Sequence, residues 1–290
     1  LHRSFESYIG KMKGQLLRNI ILLGTAQSFS ILPVSSRRLP KLYSVPPLLD
    51  VRVVSSMPEP LPLELKNEYY LFRHGQSTAN VASVISSARS LAYSTKHGLT
   101  DLGYQQGFEA AEQLTSLLKE SKKRNVVFVS SPFARALQTA QACIDGLSTM
   151  DTTSFDIDPT IHIRDNLMER YFGRLDDEAI YTYAYVWPLD KFNVTHTAFD
   201  VESVAAVATR LREVILSLED EWDQTNVILV SHADVLQICQ LYATQIENVG
   251  TFSSYRFANG EIRKMARTID SLPIPSPLSA PERDTKAKMK

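Results

Sequence analysis

Three short runs of the chain are apolar at every position: Tyr69-Tyr70-Leu71-Phe72, Val126-Val127-Phe128-Val129 and Val227-Ile228-Leu229-Val230. Unbroken runs rich in aromatic and β-branched residues suit strands buried on both faces. Helical periodicity stands between them. Thr100 is placed to cap a helix whose apolar positions are Ala110, Ala111, Leu114, Leu117 and Leu118. Ala136, Ala140 and Cys143 share one face of a second helix. Val204, Val207, Ala208, Leu211, Val214, Ile215 and Leu218 repeat as an amphipathic helix requires. Strands alternating with helices predict an α/β fold of three layers (α/β/α), with a mostly parallel central sheet covered on both sides.

The pattern stops at both ends. Residues 1–63 are basic, contain Ser and Pro, and read as a leader and extended linker, with Pro46, Pro47, Pro58, Pro60 and Pro62 in the linker. Residues 269–290 carry four prolines, end in alternating lysines, and read as a disordered tail. The folded unit predicted between them is 64–268. The leader's one apolar cluster, Ile20-Ile21-Leu22-Leu23, is far shorter than the roughly 20 residues of a membrane span. An acid-poor leader with Arg and Ser fits an organelle transit sequence. The expected location is then a chloroplast or mitochondrion, and otherwise the cytoplasm.

Composition narrows the classes. With 44% hydrophobic residues over 290 positions, a sizeable core is available. Two cysteines, Cys143 and Cys239, exclude both a disulfide framework and a cysteine-built zinc site. The net charge of -1 gives no sign of a nucleic-acid partner, but it hides an uneven distribution. Residues 1–56 carry +6, residues 57–270 carry -9 and the remainder +2. An acidic domain that binds anions must therefore concentrate its positive charge locally.

The strand ends are where that charge stands. The first strand runs into Arg73-His74-Gly75, the second into Ser130-Ser131-Pro132 with Arg135 in the next helical turn, and the third into Ser231-His232. Ligands of open α/β sheets bind outside the carboxyl ends of the strands. Guanidinium groups and helix amino termini both suit phosphate.

The octet Arg73-His74-Gly75-Gln76-Ser77-Thr78-Ala79-Asn80 resembles the signature of the histidine phosphatase superfamily, which includes cofactor-dependent phosphoglycerate mutases and many phosphatases. Further blocks of that family occur in order: Leu99-Thr100-Asp101-Leu102-Gly103, Ser130 to Ala140, Leu167-Met168-Glu169 with Gly173, Glu202-Ser203 with Val207 and Arg210, and Ser231-His232-Ala233. The resemblance covers about residues 67–265. Ala233 and Val201 stand where the family commonly has Gly.

The resemblance implies a phosphoglycerate mutase-like fold and a small phosphorylated substrate. It makes His74 the nucleophile, passing through a phosphohistidine, and Glu169 the proton donor. Arg73, Arg135, His232 and Asn80 become the phosphate-binding groups. It implies no metal and no cofactor. The mutases' Gly-Trp-x-Asp block and the Trp-Asn after their first motif are absent, which favours a metal-independent phosphatase. Phosphoglycerate mutase chemistry and an inactive binding protein on the same fold are the alternatives. His97, His162 and His196 fall outside the motifs and read as structural or exposed. The aromatic-rich stretch between Glu169 and Glu202 is the expected seat of specificity, although core packing is expected for most of its rings.

Overall fold

The computed structural model describes residues 55–276, so the leader and the end of the tail lie outside the described residues. Five strands form one sheet in the order β3-β2-β4-β1-β5. They are β1 (Glu68–Arg73), β2 (Asn125–Ser130), β3 (Asp156–Ile163), β4 (Thr225–Ser231) and β5 (Ile262–Lys264). The first four are parallel to their neighbours, and only β5 pairs antiparallel, against β1. The three apolar runs are β2, β4 and β1, the adjacent central strands. Every residue of β4 is buried.

Alternation along these strands builds the two outer layers. Tyr69, Leu71, Val127, Val129, Val227 and Leu229 face one side. There they meet α5 (Val204–Glu221) and α6 (Ala233–Ala243). Tyr70, Phe72, Val126, Phe128, Ile228 and Val230 face the other, against α2 (Asp101–Leu118) and α3 (Ala134–Ser148). Two short helices complete the list: α1 (Thr78–Ala82) and α4 (Tyr183–Phe192). Caps fall where the sequence puts them: Thr100 Oγ1 accepts from Gly103 N, and Ser203 Oγ from Ala206 N.

β3 and β5 are additions to the sequence reading. β3 is an edge strand with no buried residue, and Pro159 interrupts its pattern. β5 is only three residues long. At the amino end, Leu61, within the stretch read as linker, is buried in the core beside Tyr69.

The central register delivers the strand ends side by side. Arg73 pairs with Ser231, and Ser130 with Val230. His74 N donates to Ser231 O (3.1 Å) and Ser131 N to Val230 O (3.0 Å), carrying the alignment one residue past the strands.

Helices α2 and α3 cross closely because glycine lies at the contact. A Cβ on Gly146 would stand 2.5 Å from Phe108 O and 2.8 Å from Ala111 Cβ. Helix propensity alone would reward Gly146→Ala by about 1 kcal/mol. Overpacking against a backbone oxygen, which cannot rotate away, costs about 1–3 kcal/mol. We expect Gly146→Ala to lower the urea midpoint with an unchanged m-value. A midpoint at or above that of the wild type would contradict the close crossing.

Candidate active site

The strand ends open into a cavity of about 290 Å³. Arg73, His74, Asn80, Arg135 and Glu169 all line it, together with residues the sequence did not single out, notably Ser86, Asp234, Gln237, Arg256 and Phe257. His232 is not part of the wall. Its ring is wholly buried, edge-on to His74 (centroids 5.1 Å) and to Phe133 (5.2 Å).

The hydrogen bonds fix the histidine tautomers. His74 Nδ1 lies 2.7 Å from Gly75 O, a carbonyl that can only accept, so Nδ1 carries the proton and Nε2 the lone pair. Arg135 Nε points at that lone pair (3.2 Å) and also at His232 Nδ1 (3.2 Å). His232 Nε2 then donates to Ser131 Oγ (2.9 Å). Burial first, and the Arg135 charge second, hold both imidazoles well below their ordinary pKa, so both are neutral near pH 7. The 3.9 Å approach of His232 Nδ1 to Glu169 is thus no ion pair in this state.

Gly75 is demanded by the turn beyond His74: a Cβ there would sit 2.2 Å from Gly103 O. Arg135 is further held by Ser86, through Nη2 to the carbonyl (2.8 Å) and Nη1 to the hydroxyl (3.3 Å). Burial lowers its pKa to about 10, which still leaves it charged at neutral pH. Arg73 donates from Nη1 to Phe257 O (2.6 Å), while its buried Nε has no partner. Neither arginine has a carboxylate within ion-pair distance among the described residues. Two desolvated cations beside an unprotonated imidazole nitrogen make a site for a multiply charged anion.

Asn80 is differently employed than a free phosphate ligand would be. Its Oδ1 accepts from Ser77 N (2.9 Å) in a capping box at the start of α1 and from Asn259 Nδ2 (3.3 Å). Only its amide nitrogen is left to face the cavity.

The Glu169 side chain is 12% exposed. Burial, reinforced by the nearby Asp234 charge and opposed by Arg135, pushes its pKa up to about 7. Asp234 is likewise pushed up, mainly by burial, although Arg170 and a hydrogen bond from Trp187 Nε1 (3.2 Å) favour its charge.

Arg170, next in sequence, supports this corner. It forms a bidentate pair with Asp190 of α4 (2.8 and 2.7 Å), both side chains fully buried. Its Nε donates to Glu202 O (2.7 Å). Burial disfavours the Arg170 charge, but Asp190 and Asp234 outweigh it and hold the pKa above normal. Glu202 itself accepts from Arg210 (2.8 Å) and Arg89 (3.0 Å), and Arg89 Nη1 donates to the Glu169 carbonyl (2.9 Å). Among the histidines outside the motifs, His196 bonds Asp190 (2.7 Å), His162 bonds Asp158 (3.0 Å) and His97 bonds Ser86 (2.7 Å). The sequence gives no sign of the Arg170–Asp190 pair, since nothing local tells a buried pair from two surface charges. Of the aromatic stretch, Tyr183 and Trp187 reach the cavity, stacked at 4.6 Å, whereas Phe172 is core and Phe192 is exposed.

No group of three or more His, Cys, Asp or Glu side chains is gathered as a metal set among the described residues. Nor is any helix there long and apolar enough to cross a membrane.

Residues 69–271 match the histidine phosphatase superfamily (branch 1), and the chain belongs to that superfamily. Solved structures share its fold. One is the open reading frame Rv3214 of Mycobacterium tuberculosis, 21% identical over 68% of this chain and 89% of that one, with a TM-score of 0.50. Another is the mycobacterial glucosyl-3-phosphoglycerate phosphatase Rv2419c in complex with VO3, 18% identical over 67% and 90%, with a TM-score of 0.51. A third is YhfR of Bacillus stearothermophilus, 19% identical over 68% and 89%, with a TM-score of 0.50. A search of curated proteins finds no match.

Two outcomes follow from this geometry. Replacing Arg170 by Met leaves Asp190 buried with His196 as its remaining partner, and should cost about 3 kcal/mol in chemical denaturation. Loss below 1 kcal/mol would mean the pair is solvated. Glu169 should act in the opposite direction. Its folded pKa exceeds the unfolded one, so between about pH 4.5 and 7 the unfolded chain ionises first and stability falls as pH rises. Glu169→Gln, neutral throughout, should therefore raise Tm more at pH 8 than at pH 5. An equal effect at both would show an unperturbed carboxyl.

Proposed function

We propose that the protein is a metal-independent phosphomonoesterase for small phosphorylated metabolites, working through a phosphohistidine at His74. The observation that carries this reading is a neutral His74 on the cavity wall, its Nε2 unprotonated beside the buried Arg135 and the half-buried Arg73, with a proton-bearing Glu169 on the same wall.

A phosphate monoester docks with its oxygens on Arg73 and Arg135, which supplies the partner that Arg73 Nε lacks. As the bound phosphate draws Arg135 Nε onto its own oxygens, the freed His74 Nε2 lone pair attacks phosphorus, and Gly75 O, accepting from Nδ1–H, stabilises the positive charge that develops on the ring. The bond from phosphorus to the alcohol oxygen breaks, and Glu169 gives that oxygen its proton. The alcohol leaves. Water then attacks the phosphorus, Glu169 carboxylate accepts its proton, the P–N bond breaks and free phosphate departs. His74 and Glu169 return to their starting states. The equatorial charge is met by guanidinium groups, so the sequence of steps calls on no metal. His232 acts on the phosphate through Arg135, whose Nε it shares with His74. Asn80 contributes through its amide nitrogen. The catalytic unit is read as 64–268 with Leu61 packed onto it; a leader read as a transit sequence addresses it to a chloroplast or mitochondrion, and otherwise the location is the cytoplasm.

The decisive assay is phosphate release from a panel of phosphomonoesters. We expect turnover that survives chelator and falls at least about 10³-fold in His74→Ala, with an acid-labile phosphoryl label on the wild type alone. Interconversion of phosphoglycerates faster than phosphate release would make the protein a mutase. No turnover and no label would make it a binding protein.

The pH profile tests the acid. Activity requires neutral His74 and protonated Glu169, so it should hold through mildly acidic pH and decline as pH rises through about 7. Asp234→Asn removes the charge that helps keep Glu169 protonated and should move that decline to lower pH. An unmoved limb would assign it to another group.

A further inference from the structure

The cavity continues past the phosphate end, and its far part is a built site with one unmet group. Gln237 and Asp234 stand three residues apart on α6 and so share a face of that helix, and both line the cavity. Gln237 is 4% exposed, and its Oε1 is buried with no hydrogen-bond partner. Native structures seldom leave a buried polar atom unpaired. Gln237 belongs to the cavity wall, so its amide, once turned toward an entering group, finds there the partner this oxygen lacks. Opposite polarity of the amide changes nothing essential. A hydroxyl both donates and accepts, and satisfies the amide whichever way it is turned.

The other walls fit the same ligand. Asp234 accepts from Trp187 Nε1 and lies 3.5 Å from Arg170, with carboxylate lone pairs left for a second hydroxyl. The stacked pair Tyr183 and Trp187 on α4 gives that wall its apolar part. A sugar or polyol presents C–H faces to such a wall and hydroxyl edges to polar groups. An alkyl or aryl alcohol would cover the aromatic pair equally well but would leave Gln237 desolvated and unpaired. The volume, about 290 Å³, is at the lower end for ligand pockets and suits a small metabolite.

We propose that the alcohol part of the substrate is polyhydroxylated, a sugar or polyol phosphate, and that Gln237 is the residue that selects it. This rests on the phosphatase reading and adds its substrate class.

The test uses the full chain and matched esters whose leaving alcohols differ in hydroxyls but little in reactivity. Glycerol phosphate is paired with propyl phosphate, and glucose 6-phosphate with cyclohexylmethyl phosphate. p-Nitrophenyl phosphate serves as the general activity standard. In the wild type, kcat/KM should favour the hydroxylated member of at least one pair by about tenfold or more, the scale of one well-placed hydrogen bond. Gln237→Leu should collapse that ratio to near one. Gln237→Glu, which keeps acceptor oxygens, should retain it, since the added charge bears equally on both members of a pair. Equal kcat/KM within both pairs in the wild type overturns the proposal. So does a Gln237→Leu variant that slows both members together and leaves the ratio intact, which is what a purely structural role would give. Turnover of p-nitrophenyl phosphate with no hydroxyl preference defeats only this inference. No phosphate from any ester, the aryl one included, defeats the phosphatase reading and this inference with it.

Discussion

The site depends on positive charge buried without a bonded counter-charge. Arg73 ends β1 and Arg135 stands in the first turn of α3 beyond β2, on either side of β4, desolvated, and bonded to carbonyls, a hydroxyl and imidazole nitrogens rather than to carboxylates. Burying a cation this way is unfavourable unless the surrounding dipoles compensate. Ser86 and Phe257 O supply that compensation in part. The remainder awaits an anion. Burial, reinforced by the same charges, keeps His74 and His232 unprotonated. One arrangement therefore prepares the binding of a phosphate and the lone pair that can attack it.

Glu169 shows the complementary use of burial. A carboxyl beside two arginines would ordinarily be held ionised. Desolvation, with Asp234 close by, outweighs that attraction and leaves it able to carry a proton near neutral pH. Its position is not left to its own loop. Arg89 holds its carbonyl, and Arg170 anchors the next residue to α4 through Asp190 and to the start of α5 through Glu202 O. The Arg170–Asp190 pair thus ties the proton-bearing corner to the segment that carries the aromatic wall. Changes in that segment act on two parts of the cavity at once.

The two halves of the cavity differ in how they are built. The phosphate end is made by strand ends held in register by backbone hydrogen bonds of the central sheet. The far end is made by side chains of α4 and α6 and the loop before β5, which approach one another only through packing. The match to the histidine phosphatase superfamily, over residues 69–271, includes both halves. The proposed discrimination among phosphate esters rests on the second, where Gln237, Asp234, Tyr183 and Trp187 line the cavity.

The sequence alone determined β1, β2 and β4, because strands buried on both faces must be apolar at every position, and each of these runs is β-branched or aromatic-rich and followed by a polar turn and a helical repeat. It also determined that Arg73, His74, Arg135 and His232 follow or closely trail those strands, since parallel neighbours necessarily present their carboxyl ends together. The edge strands β3 and β5 escaped that logic: β3 has no buried residue and is interrupted by Pro159, β5 is three residues long, and neither carries such a pattern. Only the tertiary structure decided that His232 lies one layer in from the cavity, that Asn80 caps a helix with its carbonyl, and that Arg170 pairs with Asp190. It alone brought Gln237 to the wall with an unpaired oxygen. Such facts depend on which polar side chains are stripped of water. That is a property of packing between segments far apart in the chain, and a charged or amide residue reads the same in sequence whether it faces solvent or a cavity.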